Sequence, residues 1–95
     1  MVHVLARIVV KPENAAAART VLEKLVDESR KEPGCVSYLL YQQTKAPHVF
    51  QTVEEWKSQA DVDAHLKSPH LGAAVAAAGA FFAAAPEILD YAKLK

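Results

Sequence analysis

The chain reads as an α+β fold: a four-stranded antiparallel sheet with helices on one face. Three observations predict it. Four apolar runs rich in β-branched and aromatic residues alternate with helical segments, in the order strand, helix, strand, strand, helices, strand. The turn between the second and third runs is short enough to make them antiparallel neighbours, and right-handed crossovers leave few other arrangements. The 95 residues contain no repeat and no linker, so one domain spanning 1–95 is expected.

Each element has its own local reason. Residues 2–10, VHVLARIVV, form a strand that Lys11-Pro12 ends. Asn14 is the candidate cap of a helix running to about Lys31. Its apolar stripe is Ala18, Val21, Leu22, Leu25 and Val26, with Arg19, Glu23, Lys24, Asp27 and Lys31 outside. Pro33-Gly34 stops it. CVSYLLYQQ, 35–43, is the second strand; the Lys45-Ala46-Pro47 turn leads to the third, HVFQTVEEW, at 48–56. Ser58 with Asp61 three residues on is a capping box for a helix over 59–66. Ser68-Pro69 starts another, which runs into the alanine-rich stretch and stops by Pro86. EILDYAKL, at about 87–94, is the last strand. This order is that of a ferredoxin-like split βαβ.

The strands carry more apolar residues than one covered face needs. Val2, Val4, Ala6, Ile8 and Val10 point one way, yet Leu5 and Val9 point the other. VSYLLY in the second strand is likewise apolar on both sides. Helices bury only one face, so the other predicts a homodimer packed sheet on sheet.

Composition narrows the function. Eleven basic residues balance eleven acidic ones, which argues against a nucleic-acid partner. Three glycines build no phosphate-cradling loop, and GxGxxG, GxxxxGK[ST] and GxSxG are all missing. Cys35, the one cysteine, has no positive neighbour in sequence and reads as a small core residue in a reducing compartment. MVHVLARIVV lacks the layout of a signal peptide, and the uncharged Leu71–Ala85 stretch falls short of a bilayer span. A soluble cytoplasmic protein with no membrane partner is expected.

The chemistry concentrates in WKSQADVDAHLKSPH, residues 56–70. His65 and His70 are five apart across a helix break, so they share no helical face and their spacing predicts no metal site. Acid–base work suits them better. His65 lies beside Leu66 on the inward side of its helix, at a C-terminal end that favours a positive ring. His70 sits in the first turn of the next helix, where the dipole favours a neutral, hydrogen-bonding ring. His65 is thus the candidate proton acceptor. Asp61 could steer it, although capping competes for that carboxylate. The alternative is a satisfied histidine that packs the helix, with His70 on the surface. Tyr38 and Tyr41 fall on opposite strand faces, so at most one shares a cavity with the helices. Arg7, the odd charge in its strand, either pairs with Glu54 or Glu55 or meets an acidic or phenolic ligand. Phe81-Phe82 could wall an aromatic-sized cavity beside the alanines.

EPGCVSYLLYQ after the first helix and VEEWKSQADVDAHLKSPHL after the third strand resemble the antibiotic biosynthesis monooxygenase domain, including small bacterial proteins of quinol monooxygenase type. The resemblance covers essentially the whole chain. It implies a ferredoxin-like α+β fold whose dimers close sheet on sheet into an α+β barrel. It also implies oxygenation of a quinol or polyphenol by O₂ without flavin, haem or metal. On that basis His65 is the expected base, Arg7 and Tyr41 partners of the phenolate oxygen, His70 a further substrate contact, and Trp56 and Phe82 apolar walls. Haem-degrading relatives carry an axial histidine where this chain has Val75, which argues against haem breakdown. Two alternatives remain at this stage: an isomerase of a small metabolite on the same fold, and a dimeric small-molecule binding protein without turnover.

Overall fold

The computed structural model describes all 95 residues. Strands β1 (Val2–Val9), β2 (Cys35–Gln42), β3 (Val49–Trp56) and β4 (Glu87–Tyr91) form one sheet. Helices α1 (Ala15–Ser29), α2 (Gln59–Leu66) and α3 (Pro69–Ala78) lie between them in sequence. The strand order is β2-β3-β1-β4, and every neighbouring pair is antiparallel. This is the ferredoxin-like sheet that the element order predicts, with one face left open.

The local signals hold at both short helices. Ser58 Oγ accepts the Asp61 N–H at 3.3 Å and donates to the Asp61 carboxylate at 2.8 Å. Ser68 Oγ accepts the Leu71 N–H and donates to the His65 carbonyl at 2.7 Å, which joins the end of α2 to the start of α3. The Asn14 cap is not made: its side chain bonds no backbone N–H, and a 3₁₀ turn over Pro12–Asn14 leads into α1 instead. Proline at the start of that turn presets the helical φ, so no side-chain cap is needed. α3 ends at Ala78, before Pro86, where a 3₁₀ turn leads to Phe82 and its bridge with Val10. α1 ends at Ser29 and β4 at Tyr91, each short of the bound that its sequence suggests.

The helix-facing side of the sheet holds the core. Ile8, Val10 and Phe50 pack with Ala18, Leu22 and Leu25 of α1 and Ala74 of α3. Val4, Tyr38 and Trp56 pack with Val26 of α1 and Val62 of α2. Gly34 fixes how α2 meets the sheet, since a Cβ there would collide with the Asp61 side chain. Its carbonyl accepts the Lys57 N–H at 2.9 Å, so the Pro33-Gly34 turn is clasped to the end of β3.

The opposite face carries the alternate residues. Leu39, Val53, Leu5 and Leu89 stand in one cross-strand row, and Tyr41, Gln51, Arg7 and Glu87 in the next. Leu39, Tyr41, Val53, Leu89 and Tyr91 are exposed there. No helix is long and apolar enough to cross a membrane.

Candidate active site

The site begins with the inward face of β3. Period-two alternation turns Phe50, Thr52, Glu54 and Trp56 toward the helices, which puts a carboxylate among core residues. Glu54 is only 4% exposed. A buried carboxylate is costly unless its oxygens are satisfied. Here Thr52 Oγ1 donates to Oε2 at 2.7 Å, and Trp56 Nε1 donates to Oε1 at 3.0 Å. Thr52 Oγ1 in turn accepts the Ala6 N–H at 3.2 Å, which ties the group to β1.

His65 stands over this network. Its ring is buried, tilted on Trp56 at a centroid distance of 4.6 Å and met edge-on by Tyr38 at 5.6 Å. Nδ1 lies 2.6 Å from Glu32 Oε2, and Nε2 lies 4.0 Å from Glu54 Oε1. His70 Nε2 reaches the same Glu32 oxygen at 2.8 Å. A carboxylate oxygen accepts, so both contacting nitrogens are donors, and in the neutral ring the His65 lone pair is then on Nε2. Holding Nδ1 on a carboxylate is the geometry by which a general base is oriented.

His65 and Glu54, whose Oε1 lies 4.0 Å from His65 Nε2, both line an apolar cavity of about 70 Å³ between the sheet, α2 and α3. Its polar side chains are Tyr38, Thr52, Glu54 and His65; no lysine or arginine lines it. Leu66, Val75 and Ile88 line it and are about half exposed, which marks its rim. Burial, and after it the Glu54 carboxylate, push the Tyr38 hydroxyl well above the usual tyrosine range, so Tyr38 stays a proton donor. Burial and the Glu32 and Glu54 carboxylates also push up the Cys35 thiol, in keeping with an unreactive cysteine.

The residues expected from the sequence divide. His65 and Phe82 line the cavity, and Val75 lies at its rim. Trp56 is fully buried and backs the His65 ring without lining the cavity. His70 joins His65 through Glu32 on the side away from the cavity. Arg7 and Tyr41 do not share a space with His65: strand alternation puts both on the open face, in one cross-strand row. Arg7 pairs with neither Glu54 nor Glu55; its register neighbours are Gln51 and Glu87. Asp61 does not steer His65, because its carboxylate stays in the capping box. That role falls to Glu32, 33 residues before the histidine in sequence. Glu54 had a sequence signal, an acid at an inward position between Thr52 and Trp56. Glu32 had no local one.

The separation of His65 and His70 in sequence does not by itself bring them together; Glu32 does so in the fold. Their ligand atoms and a Glu32 oxygen all lie within 4.8 Å of one another.

Known proteins place this arrangement in a family. Residues 1–77 match the model of the family described as "Antibiotic biosynthesis monooxygenase". Over 69 residues the chain is 33% identical to a Mycobacterium tuberculosis protein named "Putative monooxygenase Rv0793", covering 73% of this chain and 67% of that one. A structure of Rv0793 superposes with a TM-score of 0.90 at 29% identity, over 99% of this chain and 95% of that one. A crystal structure described as an antibiotic biosynthesis monooxygenase gives 0.94 at 27% identity over the whole of both chains. The Synechocystis protein sll1783 is 31% identical over 67 residues, 70% of this chain, and the match spans 46% of its own length. With its sheet order and most of its length matched in this way, the chain belongs to the antibiotic biosynthesis monooxygenase family.

Proposed function

We propose that the chain is a cofactor-independent monooxygenase that oxidises a quinol or polyphenolic aromatic with O₂. The observation that carries this reading is His65, anchored through Nδ1 on Glu32 and lining an apolar cavity beside Glu54. A hydroxyarene in that cavity gives its proton to Nε2. The imidazolium then lies 2.6 Å from a Glu32 oxygen and 4.0 Å from a Glu54 oxygen. The arenolate passes one electron to O₂, and the radical pair recombines as a peroxide anion. The imidazolium returns its proton to that anion, and loss of water from the hydroperoxide leaves a quinone. The protein's part is to bind a flat apolar ring, accept the proton and keep water from the anion.

Pockets for drug-sized ligands run to roughly 300–1,000 Å³, so a bicyclic substrate enters only if α3 lifts from the sheet. Small contacts hold that helix down: Ala74 and Ala78 are its buried residues. A homodimer through the apolar row Leu39, Val53, Leu5 and Leu89 completes the proposal, each sheet covering the other. An isomerase of a phosphorylated metabolite fits less well, because the cavity offers a phosphate no cationic side chain.

Oxygen uptake tests the proposal. Chelator-treated protein is mixed with reduced naphthoquinones and anthrones, wild type beside His65→Ala. Uptake above autoxidation that disappears in the variant is the expected result; wild type matching autoxidation across the panel removes the reading.

A further inference from the structure

Glu32, His65 and His70 come from three separate parts of the chain, and their interaction goes beyond orienting a base. Glu32 belongs to the turn after α1, His65 to the last turn of α2, and His70 to the first turn of α3. Two imidazole nitrogens meet one carboxylate oxygen at 2.6 and 2.8 Å. Two imidazoles and one carboxylate suit zinc, iron, cobalt or nickel and leave coordination positions open.

We propose that Glu32, His65 and His70 bind a first-row divalent transition-metal ion, in place of the hydrogen bonds they now share. A tetrahedral ion with bonds of about 2.0–2.1 Å spaces its ligand atoms about 3.3 Å apart. The two nitrogen–oxygen contacts therefore open slightly, and the three ligand atoms already lie within 4.8 Å of one another. Side-chain rotation supplies such movements.

Two further features suit a metal. Glu32 and His70 are partly exposed, with side chains 16% and 21% accessible, so an ion can enter from solvent and keep a water ligand. A carboxylate also lies near the second nitrogen of His65, where metal-bound histidines find outer support: Glu54 Oε1 is 4.0 Å from Nε2 and is itself fixed by Thr52 and Trp56.

The proton count has a consequence. An ion on Nδ1 uses that nitrogen's lone pair, so the ring proton moves to Nε2 and is directed toward Glu54. His65 then has no free lone pair. Metal binding and base chemistry thus exclude each other at this histidine. That consequence rests on the proposed function; the site itself does not.

The test is binding without substrate. Chelator-stripped protein is titrated with Co²⁺, followed by its visible ligand-field bands, and with Zn²⁺ against a chromophoric chelator. One ion per chain is expected, with affinity falling on the order of 100-fold in His70→Ala and in Glu32→Gln and unchanged in His3→Ala. Equal affinity in wild type and His70→Ala, or no saturable binding, overturns the proposal. If a variant fails to fold, imidazole nitrogen NMR of wild type decides. Zn²⁺ must then shift His65 Nδ1 and His70 Nε2, and shifts confined to His3 or His48 reject the site.

Discussion

The two faces of the sheet are built from alternate residues of the same strands, yet they differ in kind. The helix-facing side places Tyr38, Thr52, Glu54 and Trp56 among aliphatic residues, and Glu54 accepts from both Thr52 and Trp56. The open side lays Leu39, Val53, Leu5 and Leu89 in a row that no helix covers. On the first face a few polar atoms lie in low-dielectric surroundings, where electrostatic interactions are strong. On the second, apolar area stays in water until another surface covers it. One register therefore gathers polar groups on one side and leaves an uncovered apolar row on the other.

His65→Ala should break this contrast most sharply. Removing a positioned base should lower turnover by about 10²–10⁴-fold in the oxygen-uptake assay. If turnover survives, the chemistry does not belong to the helix-facing side. Trp56→Ala comes next: truncating a fully buried tryptophan should cost about 3–5 kcal/mol in urea unfolding, and it also takes the donor from Glu54 Oε1. A loss below about 1 kcal/mol would show that this face tolerates a cavity and is not close-packed.

The open face is tested by mass. Wild type should run as a dimer in light scattering, and Val53→Lys, which puts a charge in the middle of the apolar row, should run as a monomer. A monomeric wild type at micromolar concentration would leave the row without a role in association. Alkaline pH sharpens the contrast with a smaller effect. Tyr38 has a folded-state pKa raised above its usual value near 10, so the unfolded chain loses that proton first. Stability should be intact below about pH 10 and fall above it, by up to about 1.4 kcal/mol per pH unit. Tyr38 should stay protonated in the folded protein through the usual tyrosine range, as read by ultraviolet absorbance.

Arg7→Gln should change least. With its side chain on the open face, stability should stay within about 0.5 kcal/mol of wild type and turnover should hold. A tenfold fall in turnover, about 1.4 kcal/mol of transition-state stabilisation, would bring the open face into the chemistry.

Much of this was legible from local pattern. The inward turn of His65, the opposed faces of Tyr38 and Tyr41, and the caps at Ser58 and Ser68 depend on residues within a few positions of each other. Backbone periodicity and capping geometry act over that range. Glu54 could have been read in the same way, as an acid in step with Phe50 and Trp56.

Periodicity does not reach across the fold. That Glu32 meets both histidines follows from α1 ending over the sheet and from Gly34 letting its turn close on Asp61. Arg7 and His65 are each placed on a face by their own element, but only the packed sheet and helices decide that those faces are opposite ones. The sequence by itself determined the strands, the caps and an inward histidine, because those are short-range choices of backbone and side chain. Tertiary structure alone decided which carboxylate holds that histidine and which residues share its cavity, because both depend on contacts between segments far apart in the chain.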